Sequence, residues 1–421
     1  MIIRAERAWL GDRFVDDVRI ETDAVGRVSS IAAADRSLTE AEGQPDVDLA
    51  LGLVAPGFGN AHSHAFHRVL RGRTHDDGGD FWQWRESMYA AAGMLDPDGY
   101  RELATQVFSE MVSCGYTAVG EFHYVHHQPD GTPYHPAHAM ELALADAAEA
   151  ADIRLVLLDT CYLAGGIGRA PEPNQRRFSD GTASAWLDRW TRLRDALAGR
   201  SLVTLGAAIH SVRAVPRDAM AEIARELPAD VPLHVHLSEQ PQENADCIAA
   251  YGRTPTALLA ELGLLSPRLN AVHATHLTDD DIRMLGEASV GIVMCPTTEA
   301  DLGDGIGPAR RLADAGAHLS IGSDQNAVID PLLELRGLEY GERLASGTRG
   351  RFSPAQLWQA GSGGGYRALG LGVGGIAVGE YCDLVELNPD SLRTRDAEPA
   401  QLPMVATAAD VTRVIVGGRE A

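Results

Sequence analysis

The stretch PLHVHLSE at 232–239 is a short apolar run that ends in His236 and Glu239, and LNAVHATH at 269–276 repeats the form with His273 near its end. Apolar runs of this length without strict alternation mark strands buried on both faces. Upstream of the pair lie LVAPGF (53–58), TAVGEFHYV (117–125), IRLVLLDTCY (153–162) and LVTLGAAIHS (202–211). Downstream lie SVGIVMCP (289–296) and HLSIGSD (318–324). Between most of them the apolar spacing changes to three and four, as in YRELATQVFSEMVSCG and PRDAMAEIARELPAD, which predicts helices. Eight buried strands alternating with helices predict an α/β fold closed as a (β/α)8, TIM-like barrel.

The ends of the chain have a different texture. MIIRAERAWL and DVRIETD near the start, with GGIAVGEYCDLVELNPD and DVTRVIVGGREA near the end, read as short strands separated by turns. Residues 1–54 and 370–421 are therefore expected to form one small β-sandwich domain, leaving 55–369 for the barrel. Two segments interrupt the alternation. Residues 72–95 mix glycine, aspartate and aromatics and suggest a lid or pocket wall, and 163–180 is irregular and rich in Gly, Pro and Arg.

Composition removes several function classes. Fifty-nine acidic against 36 basic residues give a net charge of −23, which repels a phosphate backbone and argues against a nucleic-acid partner. All 36 basic residues are arginine. Without lysine there is no Schiff-base catalysis, no pyridoxal phosphate anchor, no P-loop and no carbamylated lysine bridging two metals. No apolar run reaches the ~18 residues of a membrane span, and MIIRAERAWLGD lacks the layout of a secretion signal, so the cytoplasm is expected and a membrane is not. Five dispersed cysteines without C-x-x-C spacing read as reduced, buried thiols.

The sharpest chemical signal is His62-Ser63-His64. Histidines at i and i+2 on extended chain point the same way and can reach one cation. The later residues of interest, His236, Glu239, His273 and Asp324, all sit at C-terminal ends of predicted strands, where a barrel gathers its catalytic groups. His62, His64, His236 and Asp324 form a three-imidazole, one-carboxylate set suited to Zn²⁺, with Fe²⁺ and Mn²⁺ left open. Without a bridging lysine one metal is expected, with a water whose pKa is lowered toward ~7. Glu239 lies beside the metal and suits proton transfer to a leaving nitrogen, while His273 suits orienting or deprotonating the water.

Taken together, LVAPGFGNAHSHAFHR, HVHLSE, VHATH and IGSD resemble the amidohydrolase superfamily, in particular its single-zinc deaminase branch. FWQWRESMY (81–89), EFHYVHH (121–127), HSVRAV (210–215) and TTEADLGDGI (297–306) narrow the likeness to the formimidoylglutamate deiminases of histidine degradation, which convert N-formimino-L-glutamate to N-formyl-L-glutamate and ammonia. The resemblance implies the ligands His62, His64, His236 and Asp324, the acid/base pair Glu239 and His273, and substrate contacts from Arg85, Tyr124, His210 and Arg213. It also implies a homodimer and a small dicarboxylate substrate. An independent reason favours the arginines, because guanidinium forks bind carboxylates bidentately and a −23 protein needs them to hold a dianion. Two positions depart from the family pattern. His67 stands where a substrate-contacting glutamine is found, and Gln325-Asn326 replaces Ser-His after Asp324.

The expected reaction is addition of metal-activated water to the formimino carbon, with Glu239 protonating the departing nitrogen and either Asp324 or His273 accepting the water's proton. Two other readings stand beside it. A zinc-dependent deaminase of a purine or other aromatic base would want stacking rings instead of two arginines, and a zinc- or dicarboxylate-binding protein would have no use for Glu239.

Overall fold

The computed structural model describes residues 1–33, 48–73 and 81–421. The chain begins with β1 (Ile2–Leu10), β2 (Arg13–Thr22), β3 (Val28–Ala33) and β4 (Leu49–Pro56). Eight parallel strands follow: β5 (Phe58–Ser63), β6 (Tyr116–His123), β7 (Arg154–Cys161), β8 (Val203–Ser211), β9 (Leu233–Leu237), β10 (Leu269–His273), β11 (Gly291–Met294) and β12 (His318–Ile321). They close into a barrel, with β12 returning to β5. Finally β13 (Leu384–Leu387), β14 (Val411–Val416) and β15 (Arg419–Glu420) join the first four strands in one seven-stranded sheet. Among the described residues no helix is long and apolar enough to cross a membrane.

Six of the eight barrel strands are buried along their whole length, as continuous apolar runs such as RLVLLDTC in β7 require when helices cover the outside. The other two, β8 and β12, are exposed only near their starts, and β8 is half-buried at His210. The helices carry ordinary start and stop signals. Asp96 caps the helix Pro97–Ser113 by accepting from the Gly99 N–H at 2.8 Å, and Gly115 ends it with φ at 99°. The accessory β-sandwich expected from both chain ends is this single seven-stranded sheet, curled over a core that includes Ile3, Val18, Ile20, Leu51, Leu384 and Ile415.

One strand differs from its expectation. The run at 53–58 is divided, because residues 53–56 belong to β4 and pair with β1 and β13, while the barrel starts at Phe58. The division falls at Gly57, whose N–H donates to Asp383 O at 2.9 Å before Phe58 N–H donates to Gly115 O at 3.1 Å. A side chain at Gly57 would lie 2.2 Å from Thr117 Oγ1, so only glycine passes between the two sheets here. As a result His62 lies within the first barrel strand.

The sheet and the barrel are joined by apolar stacking and by a buried ion pair. Trp358 stacks on Phe58 with centroids 5.9 Å apart and also meets Trp9 of β1 at 5.6 Å. Arg154 of β7 donates twice to Asp383, at 2.6 and 3.1 Å, and its guanidinium covers the Tyr381 ring at 3.6 Å. Asp383 also accepts from Tyr366 Oη and from the Gly417 N–H.

A second buried network ties β6 and β7 to the helices outside them. Arg189 donates to Glu141, Asp159 and Asp180 at 2.8–3.1 Å. His126 bridges Glu141 at 2.8 Å and the Thr160 carbonyl at 2.9 Å, so both its ring nitrogens donate. Burial and Arg189 oppose that charge, yet Asp159 and Glu141 raise the His126 pKa above its ordinary value. The cluster of His123, His126 and Glu141 therefore already holds its cation, the Arg189 guanidinium.

Replacing Asp383 with alanine strands Arg154 in the interior and is expected to cost ~3–5 kcal/mol in urea unfolding. The double variant Arg154→Met/Asp383→Leu is expected to recover part of that loss. Equal stability of wild type and the single variant would show that the joint does not depend on this pair.

Candidate active site

His62 near the end of β5 and His64 just beyond it leave extended chain on the same side. His236 comes from β9, His273 ends β10 and Asp324 follows β12 by three residues. All five sit at the C-terminal mouth of the barrel. Asp324 Oδ1 lies 3.4 Å from His62 Nε2 and 3.6 Å from His64 Nε2, and the Nε2 atoms of His62 and His236 are 3.2 Å apart.

The outer ring nitrogens decide what the inner ones are. His64 Nδ1 donates to the Phe122 carbonyl at 2.8 Å and His236 Nδ1 to the His210 carbonyl at 3.0 Å. Each therefore presents an unprotonated Nε2 to the centre. Burial, aided by the neighbouring imidazoles, depresses their protonation: His64 falls to about 3, and His62 and His236 fall well below the ordinary histidine value. The lone pair of His64 thus faces a carboxylate oxygen, acceptor against acceptor. Such a set fits a divalent metal ion, with His62, His64, His236 and Asp324 as the donors.

Backbone bonds hold the donors together. The Asp324 N–H donates to His62 O at 3.0 Å, and the His64 N–H donates to Asp324 O at 2.9 Å. This clip needs β12 to approach β5 very closely. A Cβ on Gly322 would lie 2.8 Å from both the Cβ and the carbonyl oxygen of His62. The Asn326 amide nitrogen lies 3.0–3.2 Å from Ser63 Oγ, His64 O and Asp324 O. Glu121, which the sequence reading did not single out, accepts from Ser63 Oγ at 2.7 Å and from the Ala65 N–H at 2.6 Å. Burial is the main reason its pKa rises to about 8. The backbone is strained at the same strand ends: Ser238, His273, Ala274, Asp324 and Asn326 all have φ between 43° and 68°.

These residues open into a cavity at the barrel mouth. The wall expected from residues 72–95 is the helix Phe81–Met94, which supplies Trp84, Arg85, Met88 and Tyr89; residues 74–80 lie outside the described residues. Glu239 Oε2 accepts from Arg213 Nη2 at 2.7 Å, and its Oε1 lies 3.9 Å from His273 Nε2. His273 Nδ1 lies 3.4 Å from Glu299, and its Nε2 lies 3.8 Å from Asp324 Oδ2. Burial lowers the His273 pKa, but the hydrogen bond to Glu299 and the charges of Glu239 and Asp324 outweigh it and lift the value to about 10. A dication beside the ring opposes that lift.

The remaining expected contacts also reach the cavity. His67 Nε2 lies 3.2 Å from Tyr124 Oη, which in turn donates to Met88 Sδ. His210 lines the space with its ring and supports His236 through its carbonyl. Arg85 donates to Tyr89 Oη, and Arg85 and Arg213 are near enough for Arg213 to oppose its charge. Gln325 is different. It is buried and donates to Asp301, and it is not part of the cavity lining. Of the departures from the family pattern, Gln325 therefore stays out of the pocket, Asn326 braces the histidine–aspartate cluster, and His67 lines the cavity. Four further lining groups went unread: Tyr162, Tyr89, Arg169 and Glu243. Gln175 donates to both Tyr89 Oη (2.7 Å) and Tyr162 Oη (2.9 Å), locking that wall.

Gly322→Ala is expected to force β12 away from His62 and to weaken metal retention at least about tenfold, the scale seen when supporting groups of a metal site are lost. Metal content after dialysis against a chelator checks this, and unchanged retention would show that the close approach is not needed.

A family model described as the amidohydrolase family matches residues 53–421. The chain is 38% identical over 409 residues to a formimidoylglutamate deiminase of Pseudomonas aeruginosa, covering 94% of this chain and 88% of the relative. It is 29% identical over 404 residues to a 5-methylthioadenosine/S-adenosylhomocysteine deaminase of Natronomonas pharaonis, covering 94% and 86%. Among solved structures, an amidohydrolase from Brucella melitensis superposes with a TM-score of 0.91 at 33% identity, covering 100% of this chain and 94% of that one. An adenosine deaminase from Xanthomonas campestris with bound zinc shares the fold, with a TM-score of 0.83 at 24% identity and coverage of 100% and 92%.

Proposed function

The chain belongs to the amidohydrolase family and is a hydrolase acting on carbon–nitrogen bonds, and from that premise we propose that it hydrolyses N-formimino-L-glutamate to N-formyl-L-glutamate and ammonia, using one zinc ion held by His62, His64, His236 and Asp324. The observation that carries the reading is the presence of two guanidinium groups, Arg85 and Arg213, in the same cavity as the histidine–aspartate cluster. In a chain of net charge −23, a pocket built this way recruits a small dianion.

When bound, the zinc ion supplies the nucleophile by lowering the pKa of water toward ~7. The protein's own groups do the rest. Arg85 and Arg213 hold the two carboxylates and so fix the formimino carbon over the histidine cluster. Glu239 carries a proton to the departing nitrogen, which leaves as ammonia. Asp324 and His273, with oxygen and nitrogen 3.8 Å apart, take the other proton, and Glu299 holds His273 in place for that exchange. His67, Tyr124 and His210 bound the space around the reacting group. The barrel, which begins at Phe58 rather than at residue 55, forms the catalytic unit; the family likeness extends the reading to a homodimer, and the sequence to the cytoplasm.

A second reading, hydrolysis of an exocyclic amine on an aromatic base, draws on the rings of Trp84, Tyr89, Tyr124 and Tyr162 in the same wall. Two of those phenols are engaged by Gln175 and a third by His67, which favours a fixed polar wall over an open stacking slot.

The test is Glu239→Gln assayed for ammonia release from N-formimino-L-glutamate. It is expected to keep about one zinc per chain while turnover falls by ~10²–10⁴, the usual contribution of a positioned proton carrier. Retained turnover would remove Glu239 from the mechanism, and two tightly held metal ions would contradict the single site.

A further inference from the structure

Arg213 holds two carboxylates at once. Its Nη2 lies 2.7 Å from Glu239 Oε2 and its Nε 3.5 Å from Glu243 Oε2. The two acids are not equivalent. Glu243 stands on the helix Pro241–Tyr251 with its side chain fully buried, and its other oxygen accepts from the Ser238 N–H at 3.3 Å. It is held by that backbone bond and by the charge of Arg213, and it braces the turn at Ser238, φ 49°, that presents Glu239. Glu239 faces the cavity: its Oε2 accepts from Arg213 Nη2 at 2.7 Å, and its Oε1 is 3.9 Å from His273 Nε2. A guanidinium fork shaped for one bidentate carboxylate is thus divided between a permanent partner and one facing the cavity.

We propose that Glu239 and a substrate carboxylate compete for Arg213. Entry of the carboxylate displaces Glu239 from the guanidinium and frees it for proton transfer, while Glu243 keeps Arg213 in register. This rests on the proposed roles of Glu239 and Arg213 and adds a coupling between them. Three carboxylates around one buried guanidinium leave two charges uncompensated, so the arrival of one is linked to the departure of another. A carboxylate clamped at 2.7 Å has that oxygen occupied by Arg213, whereas a released one has both oxygens available for proton transfer. Selectivity for a carboxylate-bearing amidine is then expressed in kcat as well as in KM, because an amidine without the carboxylate binds while the proton carrier is still held.

The exchange can be read without turnover. Glutarate, a dicarboxylate with no C=N group, is titrated calorimetrically into the zinc-loaded wild type, Glu239→Gln and Arg213→Ala. Competition predicts that Glu239→Gln binds glutarate about tenfold more tightly than wild type and that Arg213→Ala loses most of the binding. Equal or weaker binding by Glu239→Gln overturns the exchange. Turnover supplies an independent sign. On N-propylformamidine, which has no carboxylate, Arg213→Ala is expected to release ammonia about tenfold faster than wild type, while on N-formimino-L-glutamate it is slower. A variant slower on both substrates also overturns the exchange. Failure of the function itself looks different: no protein binds glutarate and the wild type leaves N-formimino-L-glutamate intact, which removes the exchange together with the anion site.

Discussion

The structure is organised around a meeting of like with like. Two buried imidazoles present unprotonated nitrogens to the same small space, and a carboxylate oxygen faces one of them at 3.6 Å. A protein interior accepts acceptors turned toward one another only around a cation. Much else serves that arrangement. The Phe122 and His210 carbonyls fix the tautomers, and the backbone of Asp324 is bonded to both members of the His62–His64 pair. Gly322 removes the side chain that would hold the strands apart. The left-handed residues at the ends of β9, β10 and β12 are where the backbone is bent to bring the side chains in.

Charge is distributed with equal economy beyond the cluster. The chain carries 23 more acids than bases, yet the cavity above the histidines holds Arg85 and Arg213. Each is kept from closing the site by contacts of its own, Arg85 to Tyr89 and Arg213 to Glu239 and Glu243. Glu243 is fully buried while Glu239 faces the cavity, so under the proposed exchange the anion site and the proton carrier are parts of one system. The wall beside Arg85 is set by Gln175, which ties Tyr89 and Tyr162, two phenols that neither strand pattern nor spacing marks out.

Much of this was legible in the sequence because two physical signals are strong. Strands covered on both faces must be apolar along their length, so seven of the eight barrel strands stand out as runs, and residues at their C-terminal ends converge whatever lies between them. That is why His236, His273 and Asp324 could be placed with His62 and His64. The first strand misled because LVAP and the buried β5 that follows read as one run, and only hydrogen bonding reveals that the chain changes sheets at Gly57. Glu121, Gln175 and Glu243 were not legible. Each is a lone polar residue whose role depends on partners distant in sequence, and no periodicity records that. The position of Gln325 was not legible for a related reason, since a residue next to a ligand in sequence can point away from the site, here toward Asp301.

The central claim is that a metal site and a dicarboxylate-binding cavity act together on a formimino group. The most direct test is to give the zinc-loaded protein N-formimino-L-glutamate, guanine and adenosine side by side and compare ammonia release as kcat/KM. N-formimino-L-glutamate is expected to be turned over, and neither purine is. Turnover of a purine with N-formimino-L-glutamate left intact would keep the metal cluster but contradict the assignment of Arg85 and Arg213 as carboxylate-binding groups.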